Sequence, residues 1–426
     1  MNGPLAFERS WYAATAQASP QQSALNGDAS ADVVVIGGGA TGVSAALHLA
    51  ERGARVVLLE AAQIGHGASG RNGGQIIPGL RQGAAELLGN FGEVRGAALF
   101  HLALSARGLV VDLIARHGIA CDLALTGHLT TAVRPGDLAG FADEAAAAAR
   151  LGYHDMSVLD AGAARGAVAN PNHGALLDAG GGHFHTLNYT LGLAQAAAAA
   201  GARLHAASPA LRLERRAGGV TVHTPAGRVL AAQAILAGDA LLGPLHARVN
   251  SRIMPVANYI VTTAPLPGGG AGLIPGNQAV SDSRFVVNYF RRTPDGRLMF
   301  GGGERYTPRP PADMAAFVRP FLERSFPMLA GVAIDHAWGG LVSITRSRLP
   351  DLGRDGPLLW AHGYSGQGAV LSTLGGALLA EGALGDSSRF DQFADVAPPG
   401  FPGGQLLKGP LHVLGMLWYA LRDRTA

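Results

Sequence analysis

The sequence of 426 residues contains very little cysteine or lysine and only 6% aromatic residues. Cys121 is the only cysteine, which excludes an internal disulfide and a cysteine-based metal cluster. Lys408 is the only lysine, and the arginines are scattered without a basic run that alternates with aromatic residues, which argues against nucleic-acid binding. No apolar run reaches the length of a bilayer span, and the N-terminus lacks the basic start and apolar core of a signal peptide. We therefore expect a cytoplasmic protein without a transmembrane segment.

One stretch, residues 31–75, contains the pattern of a strand, a glycine-rich turn, a helix and a second strand in that order. The apolar residues before Gly37 predict a short buried strand, and the alanine- and leucine-rich helix after the turn ends near Gly53. The second strand ends at Glu60, which is followed by Ala61. A carboxylate at this place would accept hydrogen bonds from ribose hydroxyls, which favours a dinucleotide other than NADP.

The glycines of this unit, Gly37, Gly39 and Gly42, have the spacing G-x-G-x-x-G. The first glycine permits a tight turn, the second lets a pyrophosphate approach the backbone, and the third lets the helix pack on the strand. Ala40 and Thr41 open the helix, whose free N–H groups favour an anion. Because strand, turn, helix, second strand and acidic residue occur together, the sequence predicts dinucleotide binding.

The next stretch, residues 65–75, contains too many glycines for a regular element. One interpretation is a flexible surface loop. The other is a loop whose backbone N–H groups and Arg71 face a bound anion or ring. Its position directly after Glu60 favours the second interpretation.

Later segments return to the nucleotide-binding pattern after a long interruption. We predict strands at 203–206, 211–215, 220–224 and 232–237, the last of which is followed by Gly238. Residues 253–304 alternate between apolar and polar residues and predict antiparallel strands. A second glycine-rich junction, Gly363 to Gly368, follows a strand at 358–362 and opens a long helix. His183 and His185 have no third ligand nearby, so we interpret them as structural or as facing a cleft.

This order of elements predicts two interleaved domains, as the chain length also suggests. The nucleotide-binding domain is assigned residues 31–85, 150–250 and 335–390. The second domain is assigned residues 86–149 and 251–334. The remaining parts are a lead-in at 1–30, which Trp11 and Tyr12 attach to the body, and a C-terminal segment at 391–426 with a helix at 411–421.

Three motifs together resemble the FAD-dependent D-amino-acid-oxidase-like (DAO) family: G-G-G-A-T-G at 37–42, G-A-S-G-R-N-G-G at 67–74 and G-Y-S-G-Q-G at 363–368. Further segments resemble the gamma-glutamylputrescine oxidoreductases within it, at residues 10–16, 121–123, 288–291, 297–303 and 348–354. The resemblance spans nearly the whole chain. It implies an α/β fold with a glutathione-reductase-like, Rossmann-type FAD-binding domain and an interleaved α+β substrate domain on a mostly antiparallel sheet.

The resemblance also assigns roles to residues of this chain. Gly37, Gly39, Gly42 and Glu60 would hold the ADP half of FAD, and Ala210 would contact the adenine through its backbone. The pyrophosphate and the flavin edge would be lined by Ser69, Arg71, Asn72, Gly73, Gly74 and Gln75. Gly366, Gln367 and Gly368 would place a helix N-terminus where a reduced flavin carries negative charge. No residue matches the covalent flavin attachment of some relatives, so we expect dissociable FAD.

The chemistry implied by the resemblance is oxidation of a C–N bond in a small amine. A neutral amine would release hydride to flavin N5, and the resulting imine would be hydrolysed to an aldehyde. Tyr259, Tyr289, His362 and Tyr364 are candidates to line the cleft, because each lies at a strand end or beside a glycine loop; the alternative is that they are ordinary packed side chains.

One departure from the family concerns the substrate. Relatives that oxidise α-amino acids often carry an arginine where this chain has Val342 after Trp338, and valine cannot replace a bidentate carboxylate partner. We therefore expect preference for an amine without an adjacent carboxylate. Arg291 or Arg346 remains a candidate for binding a distant carboxylate, such as that of a glutamyl group.

A second departure concerns the electron acceptor. Several oxidases of the family place a lysine over the flavin, but Lys408 lies near the C-terminus, away from any such motif. The acceptor is therefore either O2 or another oxidant. Three alternatives remain open: an amino-acid or sarcosine-type FAD dehydrogenase, a non-catalytic FAD-binding redox protein, and an NAD-dependent dehydrogenase, which leaves the later glycine loops unexplained. The oligomeric state is not determined by the sequence.

Overall fold

The computed structural model of the protein describes residues 7–17, 22–305 and 310–402. Its strands, in chain order, are β1 (Ala29–Ile36), β2 (Val56–Leu59), β3 (Gln75–Ile76), β4 (His128–Thr131), β5 (Met156–Leu159), β6 (Ala175–Asp178), β7 (Gly182–His183), β8 (Arg203–His205), β9 (Arg212–Arg216), β10 (Gly219–Thr224), β11 (Gly227–Leu236), β12 (Met254–Thr263), β13 (Ala279–Asp282), β14 (Tyr289–Arg292), β15 (Leu298–Arg305), β16 (Ile334–Ile344), β17 (Asp351–Asp355) and β18 (Leu358–His362). Its α-helices are α1 (Trp11–Thr15), α2 (Ala40–Ala50), α3 (Ala84–His117), α4 (Asp137–Arg150), α5 (Ala161–Ala167), α6 (Thr186–Ala199), α7 (Ala247–Ser251), α8 (Met314–Ser325), α9 (Gly368–Ala383) and α10 (Ser388–Ala394).

The first sheet has the strand order β17-β18-β11-β1-β2-β8, and β10 and β9 extend it from β11. The five neighbouring strands β18, β11, β1, β2 and β8 run parallel to one another. β17 pairs with β18 antiparallel, and β10 pairs antiparallel with both β11 and β9. The apolar run of β2 is entirely buried, as expected for a parallel strand covered on both faces. Helices α2 and α9 pack together against this sheet. The predicted Rossmann-type domain is confirmed.

The second sheet has the strand order β16-β12-β15-β14-β13-β4-β6-β5. All of its pairs are antiparallel except β13 with β4. One face packs against α8, where Val318 and Leu322 join Phe290 and Phe300 in a buried cluster. The predicted α+β domain on a mostly antiparallel sheet is confirmed as well.

Strand pairing draws boundaries that differ from the predicted division. β5 and β6, within the predicted nucleotide-binding segment 150–250, pair in the second sheet. So does β16, of which all but Ile334 falls in the predicted segment 335–390. A short apolar strand has the same local pattern in either sheet, because its partners are set by contacts far along the chain. In β16, Gly339 and Gly340 also weaken the strand signal.

Helix α3 is long and apolar enough, by length and composition alone, to cross a membrane. The sequence predicts two helices over this region, and the structure bends α3 at Gly92, where φ is 74°. Its buried side chains, among them Leu99, Ala103 and Val110, belong to the same core cluster as Leu374 and Leu378 of α9. This side of α3 packs in the core, and 39% of its most apolar 18-residue window is buried.

The two ends of the chain differ in what the structure describes. Trp11 and Tyr12 are buried, and the Trp11 indole N–H donates to Asp295 at 3.2 Å, so the lead-in is attached to the body as predicted. Lys408 and the predicted helix at 411–421 lie outside the described residues.

Candidate functional site

The first glycine turn leaves no room for side chains. Gly37 has φ 113°, and a Cβ there would lie 2.6 Å from the Ala237 carbonyl oxygen and 3.0 Å from the Gly238 nitrogen. A Cβ on Gly42 would lie 1.9 Å from the Gly37 carbonyl oxygen. The G-x-G-x-x-G spacing therefore reflects backbone packing between β1, α2 and the end of β11.

Helix α2 begins directly after this turn. Its N-cap residue, Gly39, provides no side-chain cap, and a Cβ there would lie 2.9 Å from the Ser69 Oγ. The Ala40 N–H donates to that same Ser69 Oγ at 2.8 Å. The second glycine loop thus meets the helix N-terminus, where backbone N–H groups and the helix dipole favour an anion.

Glu60 lies at the end of β2 beside the same turn. Its two carboxylate oxygens accept from the Gly38 N–H at 2.6 Å and the Ala62 N–H at 2.8 Å. Burial raises the pKa of Glu60, while backbone hydrogen bonds from Ala62, Gly38 and Ala61 oppose that rise. Each oxygen keeps further lone pairs for a ribose hydroxyl.

The segment that contains Ala210 lies on the other side of Glu60. The Ser208 N–H donates to the Glu60 carbonyl at 2.7 Å, and the Ala207 N–H donates to the Ala62 carbonyl at 2.8 Å. Ala210 itself is half-buried against the core of the first sheet. The backbone of this segment therefore lies near the carboxylate predicted to bind ribose.

The loop at 65–75 is anchored between the two sheets. Arg71 is 6% exposed, and its Nε donates to the His66 carbonyl at 2.7 Å, while Nη1 donates to the Gly339 carbonyl at 3.0 Å. The Phe7 ring lies 4.8 Å from its guanidinium carbon. Burial lowers the pKa of Arg71 to about 10, which leaves it charged at neutral pH. The alternative of a flexible surface loop does not fit this anchoring.

The second half of this loop is fixed by side-chain amides. Asn72 accepts from the Gly74 N–H at 2.8 Å and donates to the Ala68 carbonyl at 3.0 Å. Gln75 donates from Nε2 to the Val280 carbonyl of the second sheet at 2.8 Å. These bonds fix the backbone of Gly73 and Gly74 against the second sheet.

One face of the second sheet points toward this loop. The Trp338 indole N–H donates to the Arg71 carbonyl at 2.9 Å, and a Cβ on Gly73 would lie 2.7 Å from the Tyr289 ring. We call this face the site face. By the alternation of side chains along a strand it carries, among others, Asn258, Ile260, Tyr289, Arg291, Trp338, Gly340 and Val342.

Arg291 is 1% exposed and largely occupied by the protein itself. Its Nε donates to the Gly73 carbonyl at 2.7 Å, Nη1 to the Arg292 carbonyl at 3.1 Å, and Nη2 to the Tyr12 hydroxyl at 3.1 Å and the Phe184 carbonyl at 3.4 Å. Most of the donors of a guanidinium are thereby used. The geometry favours a residue that positions the loop over a clamp for a substrate carboxylate.

Tyr289 is the predicted cleft aromatic that does lie on the site face. Its ring crosses β15 at Gly301, where a Cβ would lie 2.1 Å from the ring carbon Cζ. Its hydroxyl donates to the Asn258 Oδ1 at 2.5 Å. The sequence prediction missed Asn258. Two signals were available: Asn258 points to the opposite strand face from Tyr259, and a polar residue is unusual in this apolar strand.

Tyr259 points away from the site, contrary to its selection as a cleft residue. It is fully buried and packs edge-on against Phe317 of α8, with 5.3 Å between ring centroids. Its neighbours Asn258 and Ile260 occupy the site face, and successive side chains of a strand point to opposite faces.

The last glycine loop joins β18 to α9. Gly363 and Gly366 have φ values of 73° and 98°, and the Ser365 N–H donates to the Ser343 carbonyl at the end of β16 at 3.0 Å. Gln367 is the N-cap residue of α9 and makes no side-chain cap bond. Its Oε1 is buried without a hydrogen-bond partner among the residues that the structure describes. This end of the site therefore presents a helix N-terminus and an unused acceptor.

Two other predicted cleft residues point into the interior. The Tyr364 hydroxyl lies 2.8 Å from the Thr41 Oγ1, between α2 and α9. His362 is 1% exposed, and its Nε2 lies 2.8 Å from the Oδ2 of buried Asp351, which also accepts from Arg252 at 2.8 Å. Both side chains therefore stabilise the last glycine loop from the protein interior and do not line the site face.

The remaining candidates lie elsewhere. Arg346 is exposed and donates to the Gly400 carbonyl at 3.2 Å. His185 caps α6 by accepting from the Asn188 N–H at 3.0 Å, and His183 Nε2 lies 3.0 Å from the Asn277 carbonyl.

The residues at the two glycine turns fit an extended dinucleotide. At one end Gly37 and Gly42 allow the close backbone packing of the turn, and Gly39 leaves the N-terminus of α2 without a side-chain cap. Glu60 beside this turn has lone pairs for a ribose hydroxyl. At the other end the Cβ position of Gly366 has no neighbouring atom within 4 Å, beside the unused Gln367 acceptor. Fold and site together are those expected of a protein that binds an extended dinucleotide at both glycine turns.

Comparison with known proteins identifies the family. Residues 32–382 match the DAO family, described as FAD dependent oxidoreductase. The chain is 39% identical over 419 residues to gamma-glutamylputrescine oxidoreductase of Escherichia coli (strain K12), covering 97% of this chain and 98% of that protein. It is 38% identical over 424 residues to a probable oxidoreductase OrdL of Rhizobium meliloti (strain 1021), covering 99% of each. Glycine oxidase from Geobacillus kaustophilus has a similar fold, with TM-score 0.70 and 24% identity over 84% of this chain and 95% of that one. The chain belongs to the DAO family and is an FAD-dependent oxidoreductase.

Proposed function

We propose that the protein oxidises the C–N bond of an amine that lacks an adjacent carboxylate, with gamma-glutamylputrescine as the model substrate. The observation that carries this proposal is the character of the site face. Val342 is apolar, and Arg291 spends its donors on backbone carbonyls and Tyr12. Bidentate binding of an α-carboxylate needs a guanidinium with two parallel donors available. A substrate that carries its carboxylate at a distance, or none, suits this face better.

The residues that would hold FAD are those of the two glycine turns. The turn at Gly37, the N-terminus of α2 and Glu60 would bind the ADP half, and the loop from Ser69 to Gln75 would lie along the pyrophosphate and the ring. When bound, FAD supplies a hydride acceptor for the amine-bearing carbon. The N-terminus of α9 adds positive potential at Gln367, which favours negative charge at that end of the site.

The contribution of this chain to the chemistry is orientation and exclusion of water. Trp338 is fully buried, Tyr289 lies across a bare strand, and Asn258 is 9% exposed, so a substrate between loop and sheet would be largely desolvated. Desolvation disfavours an ammonium and therefore favours the neutral amine that must release hydride. Oriented reactants account for a large share of the rate enhancement in such sites.

The test is anaerobic bleaching of the purified yellow protein by a panel of amines. We expect gamma-glutamylputrescine to reduce the flavin faster than D-alanine, sarcosine or glycine. Faster reduction by any of these three would contradict the substrate assignment and support the amino-acid or sarcosine-type dehydrogenase. A protein that no amine bleaches would support a non-catalytic redox role.

The electron acceptor is tested separately. We propose O2 as the acceptor, with hydrogen peroxide as the product. The alternative is a different oxidant, in which case air would reoxidise the reduced flavin only slowly. Peroxide formed in step with amine consumption would support an oxidase. Slow reoxidation in air, together with fast reoxidation by an artificial dye, would support a dehydrogenase.

A further inference from the structure

Asn258 is a buried amide in the middle of the site face. It lies on β12 beside Gly340 of β16, two residues before Ile260, which packs with Trp338. A Cβ on Gly340 would lie 3.4 Å from the Arg71 Cβ, so the neighbouring strand is bare just where it approaches the loop. The Asn258 side chain therefore lies on the site face beside the place where the loop at 65–75 meets the sheet, which is where the proposed function would place the substrate.

The orientation of this amide is fixed by Tyr289. The Tyr289 hydroxyl reaches Asn258 Oδ1 at 2.5 Å only because its ring passes over Gly301, where a Cβ would lie 2.1 Å from the ring. A side chain at Gly301 would block this path. Two strands and one bare position thus hold the amide in one plane.

The fixed amide has unused hydrogen-bonding capacity. Its Oδ1 accepts from Tyr289, but Nδ2 donates to no acceptor in the part of the chain that the structure describes, although Asn258 is 9% exposed. This amide nitrogen is not among the fully buried polar atoms, so water satisfies it when no ligand is bound, and a ligand that replaces the water must offer an acceptor of its own. A ligand atom is a natural partner for these donors.

The chemistry of the surroundings selects the kind of ligand atom. Next to Asn258 and Gly340 along β12 and β16 come Val256 and Val342, which are paired with each other and carry no charge, and on its other side Asn258 pairs with Glu304 of β15. A neutral N–H donor suits a neutral acceptor, and the pairing of Asn258 with Glu304 disfavours a second carboxylate beside it.

We propose that Asn258, held by Tyr289, donates a hydrogen bond to the neutral amide carbonyl of an acylated diamine substrate. This inference rests on the proposed function and names the feature by which the site distinguishes such a substrate from a free diamine. Asn258 is thus a specificity-determining residue, and Tyr289 is the residue that positions it.

The test compares three substrates by the rate and concentration dependence of anaerobic flavin reduction. Gamma-glutamylputrescine and N-acetylputrescine carry the amide carbonyl, whereas putrescine lacks it. We expect Asn258→Leu to lower the apparent second-order rate constant for both amides by about tenfold or more, mainly through weaker binding, and to leave putrescine little changed. Asn258→Asp should give the same loss and favour putrescine, whose second ammonium would meet the new carboxylate.

Two further variants separate specificity from damage to the fold. Tyr289→Phe leaves the Asn258 amide in place but frees it to rotate. We therefore expect the rate constants for the two amide substrates to fall less than in Asn258→Leu, with both amides still affected more than putrescine. Thr262→Val, on the same strand and face, is the matched control and should not change the preference between amide and diamine. FAD content and melting temperature are measured for every variant.

The outcomes are distinct. Equal losses for all three substrates in Asn258→Leu, or no loss for any of them in a well-folded variant, would overturn the role of Asn258 while leaving amine oxidation intact. A wild-type protein that is reduced by putrescine but by neither amide would overturn the role of Asn258 and the choice of substrate together. A wild-type protein that no amine reduces would overturn the proposed function itself.

Discussion

The hydroxyl pair of Thr41 and Tyr364 offers the sharpest test of how the two glycine turns are held together. Thr41 lies in the first turn of α2, Tyr364 in the loop before α9, and the two oxygens are 2.8 Å apart with both side chains buried. A Cβ on Gly375 would lie 2.4 Å from the Tyr364 hydroxyl, so α9 is bare where this pair sits. Tyr364→Phe removes one hydroxyl and keeps the ring.

The expected cost follows from the burial of both groups. Losing one partner leaves the other hydroxyl buried without its hydrogen bond, which costs about 1–3 kcal/mol. Thr41→Val should cost a similar amount. In the double variant nothing is left unsatisfied, so the two costs should overlap by about 1 kcal/mol or more rather than add.

The assay measures the free energy of unfolding in urea and the dissociation constant of FAD for all four proteins. Because the pair joins the two glycine turns that would hold the cofactor, we expect Tyr364→Phe to weaken FAD binding as well as stability. Tyr153→Phe is the matched control. The Tyr153 hydroxyl donates to Asp178 at 2.6 Å, and this hydrogen bond lies away from both glycine turns. It should lower stability without changing FAD affinity. Strictly additive costs, or an unchanged FAD affinity in Tyr364→Phe, would refute the reasoning.

Three further predictions concern the glycine turn, the site arginine and acid pH. Gly42→Ala should abolish FAD binding, because its Cβ would lie 1.9 Å from a carbonyl oxygen, whereas Gly108→Ala, with open space around it, should retain the flavin spectrum; yellow Gly42→Ala protein would contradict this. Arg291→Met should lower the unfolding free energy by about 2–4 kcal/mol, because it leaves buried carbonyl oxygens without their hydrogen-bond donor. An unchanged urea midpoint would contradict this prediction. Burial lowers the pKa of His183 and His185 to about 3, so below pH 6.5 the unfolded chain binds more protons than the folded one, and stability falls as pH falls. Each histidine should contribute about 1.4 kcal/mol per pH unit between pH 6 and 4, measured as a drop in melting temperature that His185→Asn reduces.

The nucleotide-binding unit could be predicted from the sequence because its determinants are local. The strand, the glycines, the helix and Glu60 follow one another within residues 31–60, and the clash positions at Gly37 and Gly42 show why no other residue serves there. The antiparallel strands of the second domain were predictable for the same reason, since alternation is visible within each strand.

The orientation of the site side chains was harder to predict, because it depends on which face of a strand meets which loop. Alternation along β12 separates Asn258 from Tyr259, but the sequence does not say which of them meets the loop at 65–75. Tyr12 contacts Arg291, which lies 279 residues further along the chain, and no local pattern indicates that contact. Tyr364 and His362 lie beside a glycine loop as predicted, yet the loop turns them inward.

Domain boundaries were limited by the same non-locality. The short strands β5 and β6 carry no local signal for either sheet; β6 belongs to the second sheet because it pairs with β4, and β5 because it pairs with β6. The pairing of β1 with β11 and of β11 with β18 likewise joins segments that are far apart along the chain.

The complete burial of α2 has a consequence for synthesis on the ribosome. All 11 of its residues are buried, and the helix that packs against it most extensively, α9, begins only at Gly368. Although α6 also packs on α2, the nascent chain must therefore carry the α9-facing side of this apolar helix uncovered while most of the polypeptide is still being translated. Such exposed segments attract chaperones and promote aggregation. Chains arrested before α9 should accordingly be held by chaperones, whereas release should coincide with emergence of the last glycine loop and its helix.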